Sequence, residues 1–121
     1  MPVYGVGIDL LEIDRMAVNI NSEPFMRRVF TPEENEYISS RKKMSAASAA
    51  GIFCAKEAFI KAVGTAVPLH GVSVSHDENG KPFILLSEEL SGKYAGIAFF
   101  LSITHTDVTA AAVVVAEKTQ P

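Results

Sequence analysis

With 121 residues, 48% of them hydrophobic and 21% charged, the chain is expected to fold as one domain over residues 1–121 with a sizeable core, which sets it apart from disordered and multi-domain proteins. Its formal charge of −3 weighs against general nucleic-acid binding, which draws its affinity from neutralising many phosphates. No apolar run reaches the ~20 residues that span a bilayer, the N-terminus lacks a basic leader and the single cysteine excludes an internal disulfide, so a cytoplasmic protein that binds no membrane is expected.

In chain order, the segment Tyr4 to Leu11 alternates, with Tyr4, Val6, Ile8 and Leu10 on one face and Gly5, Gly7, Asp9 and Leu11 on the other. This predicts a strand with one well-filled face. On the opposite face two glycines precede Asp9, so a helix, a second backbone or a ligand can come close there. Residues 12 to 21 suit a short helix, and Ser22-Glu23-Pro24 opens a second, since proline is tolerated in a first helical turn. At Thr31-Pro32-Glu33-Glu34 the threonine can cap a third helix while Glu34 reaches back to complete a capping box. A long helix then runs from about Met44 through SAASAAGIFCAKEAFIKAV, with Gly64 as its natural stop.

The second half is β-rich. Val72, Val74 and His76 alternate with serines and Asp77, Asn79-Gly80 carries a hairpin signal, and Pro82 to Leu86 returns as a strand. Ser87 caps a short helix running to about Tyr94, and Ile97 to Thr104 and Thr109 to Ala116 read as two strands joined by a turn. The expected fold class is α+β, with the long helix packed on an antiparallel sheet and several short helices around it. Continuous apolar runs at 98–101 and 113–115 suggest a sheet covered on both faces. So short a chain has few helices for that task, and a subunit partner is expected.

Two features of charge stand out. Arg15, Arg27, Arg28, Arg41, Lys42 and Lys43 supply six of the eleven Lys and Arg within the first 43 residues, which suits either an acidic partner or a set of solvated surface charges. On the long helix, successive steps of about 100° from Ile52 put Glu57 and Lys61 at about 140° and 180°, between two apolar arcs. Lys56 lies about 100° from Glu57 and so stands apart from that narrow stripe. Glu57 and Lys61 are then either an exposed i, i+4 pair or part of a site. If Glu57 meets a second carboxylate, the pair makes a hard oxygen site suited to Mg²⁺, which takes one or two protein carboxylates together with waters and phosphate oxygens. Asp9, at the end of the glycine shelf, is the natural second carboxylate, and Lys61 would face the same phosphate. His105 ends a strand and is either exposed or a ligand contact. Cys54 faces the expected core, which argues against a nucleophile. His70 and His76 stand near no candidate group, and the chain has no zinc cluster, nucleophile elbow or phosphate loop.

GIDLLEIDR, RRVFTPEE, FCAKEAFIKAVGT, NGKP and LSITHT, in this order and over roughly residues 4 to 116, closely resemble the holo-acyl-carrier-protein synthases, the small bacterial type of 4'-phosphopantetheinyl transferase. The resemblance implies Mg²⁺-dependent transfer of 4'-phosphopantetheine from coenzyme A to a serine of apo acyl carrier protein, releasing adenosine 3',5'-bisphosphate, in support of fatty acid biosynthesis. It implies metal ligation by Asp9 and Glu57 and phosphate contact by Lys61, the three catalytic candidates. Coenzyme A contacts are implied for Lys61, Gly64, Lys81, Pro82, Ser102 and His105, and carrier-protein contacts for Arg15, Phe25, Arg27 and Arg28. It also implies a homotrimer with the site between subunits, so that Ser102 and His105 would come from a neighbouring chain. The serine proton is expected to pass through a metal-bound water to a carboxylate such as Glu57. One departure concerns the family's usual Gly-Thr-Gly, which reads Gly64-Thr65-Ala66 here; a left-handed turn at Ala66 would be strained.

Two rival readings are a metal-dependent phosphohydrolase using the same carboxylates, and a non-catalytic module that docks acidic carriers through Arg15 to Arg28.

Overall fold

Five strands form two antiparallel sheets in the computed structural model, which describes residues 2–119; residues 1, 120 and 121, which the one-domain expectation also spans, lie outside it. Strand β1 (Val3–Glu12) is followed by the short helices α1 (Ile13–Asn19), α2 (Glu23–Val29) and α3 (Pro32–Ser40) and by the long helix α4 (Ser45–Val63). Then come β2 (Val72–His76), β3 (Pro82–Leu86), α5 (Glu88–Lys93), β4 (Ile97–His105) and β5 (Thr109–Lys118). The larger sheet has the order β1-β5-β4, and β2 and β3 pair as a separate hairpin. The fold is α+β, as expected, with two sheets where one was foreseen.

Local chemistry sets the ends of these elements. The Ser22 hydroxyl accepts from the Phe25 amide at the start of α2. Thr31 accepts from the Glu34 amide at 3.2 Å while the Glu34 carboxylate accepts from the Thr31 amide at 2.9 Å, so the capping box is complete. Gly64 closes α4 in the left-handed conformation, φ 81°, a position that costs other residues steric strain. Ala66 escapes that strain: among the described non-glycine residues only Lys42 has a positive φ. The β2–β3 turn closes on Asp77, whose carboxylate accepts from the amides of Asn79 and Lys81, with Gly80 alone at φ 82°.

Helix α4 crosses the larger sheet diagonally at close range. Gly51 abuts Ile103 of β4, Cys54 lies against Ala110 of β5, and Ala58 and Ala62 press on Gly7 and Gly5 of β1. Small residues on both sides make this approach possible: Ala110, Ala112 and Ala116 face the helix from β5 and are buried. A Cβ on Gly7 would stand 1.9 Å from the Ala58 carbonyl oxygen, so the glycine shelf read from the sequence is a helix-packing surface. Gly7→Ala is expected to push α4 off the sheet and cost about 1–3 kcal/mol or more, the scale of overpacking, seen as a lower thermal midpoint.

Among the described residues nothing covers the opposite face of this sheet. Val6, Ile8 and Leu10 of β1 are 57–66% exposed, and Phe100 of β4 is 55% exposed. The well-filled face of β1 is therefore directed outward, and the expectation of a sheet covered on both faces holds within one chain only for the α4 side. Alternation explains why: it fixes which residues share a face, and a face awaiting a partner carries the same apolar pattern as a buried one.

Candidate active site

Asp9 lies near the end of β1 on the α4 side, opposite Ala112 of β5. Its carboxylate receives the Lys61 ammonium at 3.3 Å, and the same ammonium donates to the Ile8 carbonyl at 3.0 Å. The Asp9 side chain is only 19% exposed and that of Lys61 is 57% exposed, so Lys61 approaches from the solvent side. Glu57, one helical turn before Lys61, is half-buried. Both carboxylates act on the Cys54 thiol, which is pushed up to about 12 by burial first, then by the charge and hydrogen bonding of Asp9 and by the charge of Glu57, with Lys61 opposing. Asp9, Glu57 and Lys61 thus share one neighbourhood at the β1 edge. Cys54, fully buried, stays a thiol there and is no nucleophile.

This donor set suits a hard cation. Among the described residues no group of three or more His, Cys, Asp and Glu side chains could hold a metal ion; Asp9 and Glu57 offer two carboxylates. That is the habit of Mg²⁺, which fills its remaining positions with water and phosphate oxygens, whereas a structural Zn²⁺ calls for four nitrogen and sulfur ligands.

The residues proposed to hold coenzyme A divide into groups. Pro82 and His105 line a cleft of about 300 Å³, bounded by Gly51 and Ile52 of α4 on one side and by His76 and Gly80 of the hairpin on another. The His105 Nδ1 lies 3.0 Å from the Thr106 carbonyl; a carbonyl only accepts, so in that bond Nδ1 is the donor. Lys81 is exposed at the hairpin tip, and Gly64 is exposed at the far end of α4. Ser102 belongs to neither place. It shares the open sheet face with Val113 and Ile8, the register partners that lead across to β1, and so points away from both Asp9 and the His105 cleft.

The cleft also recruits residues that the sequence did not single out for it. The His76 ring stacks on Tyr37 with centroids 4.1 Å apart, and the Arg41 guanidinium lies 5.6 Å from the Tyr37 ring centre. Burial first and Arg41 second hold the His76 pKa below the usual imidazole range. These three come from α3, its C-terminal end and β2, so no sequence spacing joins them.

Lys56, which the helical angle set apart from Glu57, is fully buried and pairs with the equally buried Glu34 at 2.7 Å. Burial pulls its pKa down, with Glu34 opposing. The costly charge inside this helix is therefore Lys56, with Glu57 and Lys61 at the edge.

The carrier-contact candidates sit on α1 and α2. Arg15 is exposed, Arg27 pairs with Glu23 one turn back, and Arg28 lies 5.8 Å from the centre of the half-buried Phe25 ring. Of these, Arg28 is the one the structure sets against Phe25.

Comparison with known proteins adds the wider context. A family model described as the 4'-phosphopantetheinyl transferase superfamily matches residues 5–114. A holo-[acyl-carrier-protein] synthase from Treponema denticola is 38% identical over 121 residues, covering 95% of this chain and 98% of the relative. The crystal structure of a holo-[acyl-carrier-protein] synthase from Neisseria meningitidis superposes with a TM-score of 0.88 at 33% identity, covering 97% of this chain and 100% of that one. A Bacillus anthracis holo-(acyl-carrier-protein) synthase in complex with CoA (3',5'-ADP) gives 0.84 at 33% identity, with 96% and 97% covered.

Proposed function

The chain belongs to the 4'-phosphopantetheinyl transferase superfamily, and from that premise we propose that it transfers 4'-phosphopantetheine from coenzyme A to a serine of apo acyl carrier protein. One observation carries this reading: likeness to the synthases runs along 95% of the chain, and within that frame Asp9, Glu57 and Lys61 occupy one neighbourhood. In the reaction the serine oxygen bonds to the phosphorus that bears pantetheine. The bond from that phosphorus to the bridging oxygen breaks, adenosine 3',5'-bisphosphate departs, and the serine loses its proton.

Such a step builds negative charge on phosphate oxygens, so catalysis rests on positioning and on cations aimed at that charge. Asp9 and Glu57 would hold Mg²⁺, which when bound neutralises pyrophosphate oxygens. Lys61, more than half exposed at its Asp9 contact, can swing its ammonium from Asp9 to a phosphate oxygen. Pro82 and His105 would grip the coenzyme in the cleft, with Lys81 near its mouth.

The arrangement favours a site completed between copies, and a homotrimer is the proposed form. The open sheet face needs a partner, since an exposed apolar patch of this kind usually marks an interface. Ser102 lies on that face, so a neighbouring copy would meet it. Ile8→Lys is expected to leave single chains, detected by light scattering, and to lower transfer with them. Arg15, Arg27 and Arg28, with Phe25, would dock the acidic carrier, with association that slows as salt rises. The buried thiol of Cys54 calls for no oxidising compartment, and among the described residues no helix is long and apolar enough to cross a membrane; both support a cytoplasmic location.

Incubation with coenzyme A, Mg²⁺ and apo acyl carrier protein tests the reading. A carrier heavier by one phosphopantetheine supports transfer. Cleaved coenzyme A beside unmodified carrier would mean a hydrolase, and binding without either product would mean a docking module.

A further inference from the structure

Glu34 and Lys56 form a buried node whose bonds reach four backbone groups. One Glu34 oxygen accepts from the Thr31 amide at 2.9 Å and from Lys56 at 2.7 Å; the other accepts from the Val74 amide of β2 at 2.6 Å. The Lys56 ammonium also donates to the carbonyls of Leu69 at 2.9 Å and Val72 at 2.5 Å, just before and at the start of β2. Lys56 therefore ties α4 to the β2–β3 hairpin, and Glu34 ties that hairpin to α3 beside the Thr31–Ser73 hydroxyl contact and the Tyr37–His76 stack.

Those three elements supply walls of the cleft, and Ile103 and His105 of β4 supply another. Ile52, one turn before Lys56, lines it from α4; Tyr37 lines it from α3; and His76, Gly80 and Pro82 line it from the hairpin. An isolated pair of buried charges loses about as much to desolvation as it gains from attraction, so its retention calls for a positional reason. Here the pair also satisfies backbone groups at the start of α3, just before β2 and within β2, which an apolar pair of the same volume would leave unpartnered.

We infer that Lys56, with Glu34, is a positioning residue that sets the width of the coenzyme cleft by fixing the β2–β3 hairpin against α4. It touches no substrate and acts through the walls. The inference rests on the reading that this cleft holds coenzyme A.

The test separates position from stability. Lys56→Met removes the tie and leaves a buried carboxylate uncompensated, whereas Glu34→Gln/Lys56→Met removes the tie and the charge together. Coenzyme A affinity is measured calorimetrically on each full-length protein without carrier, and kcat and both KM values are measured with it. In the double variant, which regains the part of the stability lost to the uncompensated charge, the Kd and KM for coenzyme A are expected to stay about tenfold or more above those of the parent, the scale on which groups behind a binding site act. Its kcat and its KM for the carrier should stay near the parent values. Coenzyme A affinity that returns to normal along with stability overturns the inference, and so does failure of both variants to fold. A parent protein that binds no coenzyme A instead overturns the functional reading beneath it.

Discussion

Glu57→Gln is expected to slow phosphopantetheine transfer by about 10²- to 10³-fold, the range seen when one group that stabilises charge is removed from a reacting centre. The amide keeps the size of the side chain but withdraws the negative charge that makes Glu57 a partner for Asp9 around a divalent cation. Glu57 is half-buried at the helix edge, outside the packed α4–sheet contact, so the thermal midpoint and oligomeric state should be those of the parent. The loss should fall mainly on kcat, with a higher Mg²⁺ concentration needed for half-maximal rate. An unchanged rate would remove Glu57 from the metal site and leave Asp9 and Lys61 as a surface ion pair, worth little.

Lys56→Met produces the opposite pattern at the neighbouring position. Glu34, with no exposed side-chain surface, would retain a charge without its partner, a change that costs about 3–5 kcal/mol. The carbonyls of Leu69 and Val72 would lose their Lys56 bonds as well. For a chain of this length a loss of that size lowers the midpoint on the order of 10 °C or more, measurable by circular dichroism. Adjacent charges on one helix thus separate by effect: removing Glu57 costs rate, and removing Lys56 costs the fold first.

The sequence contained a clue to this division. At about 100° per residue Lys56 falls near 40°, between Ile52 and Ile60, which places it inside an apolar arc. Its distance from Glu57 was visible, but its burial depended on where α3 and β2 would settle. Glu34 carried a matching clue, because a capping-box carboxylate uses one oxygen for the helix start and has another to offer elsewhere. Val74, forty residues away in the chain, takes that second oxygen.

What the sequence determined by itself was local: the caps at Ser22, Thr31 and Ser87, the stop at Gly64, the turn at Gly80 and the glycine shelf before Asp9. Each depends on groups within a few residues, where backbone sterics and short hydrogen bonds decide the outcome. The glycine pattern likewise prepared the approach that brings Lys61 to Asp9, with Gly5 and Gly7 against Ala62 and Ala58 of α4. Only the tertiary structure decided which charge is buried, which sheet face stays open and which residues wall the cleft. Alternation and helical angle say which side chains travel together; they do not say what will cover them, because desolvation is a property of the neighbours that long-range folding brings.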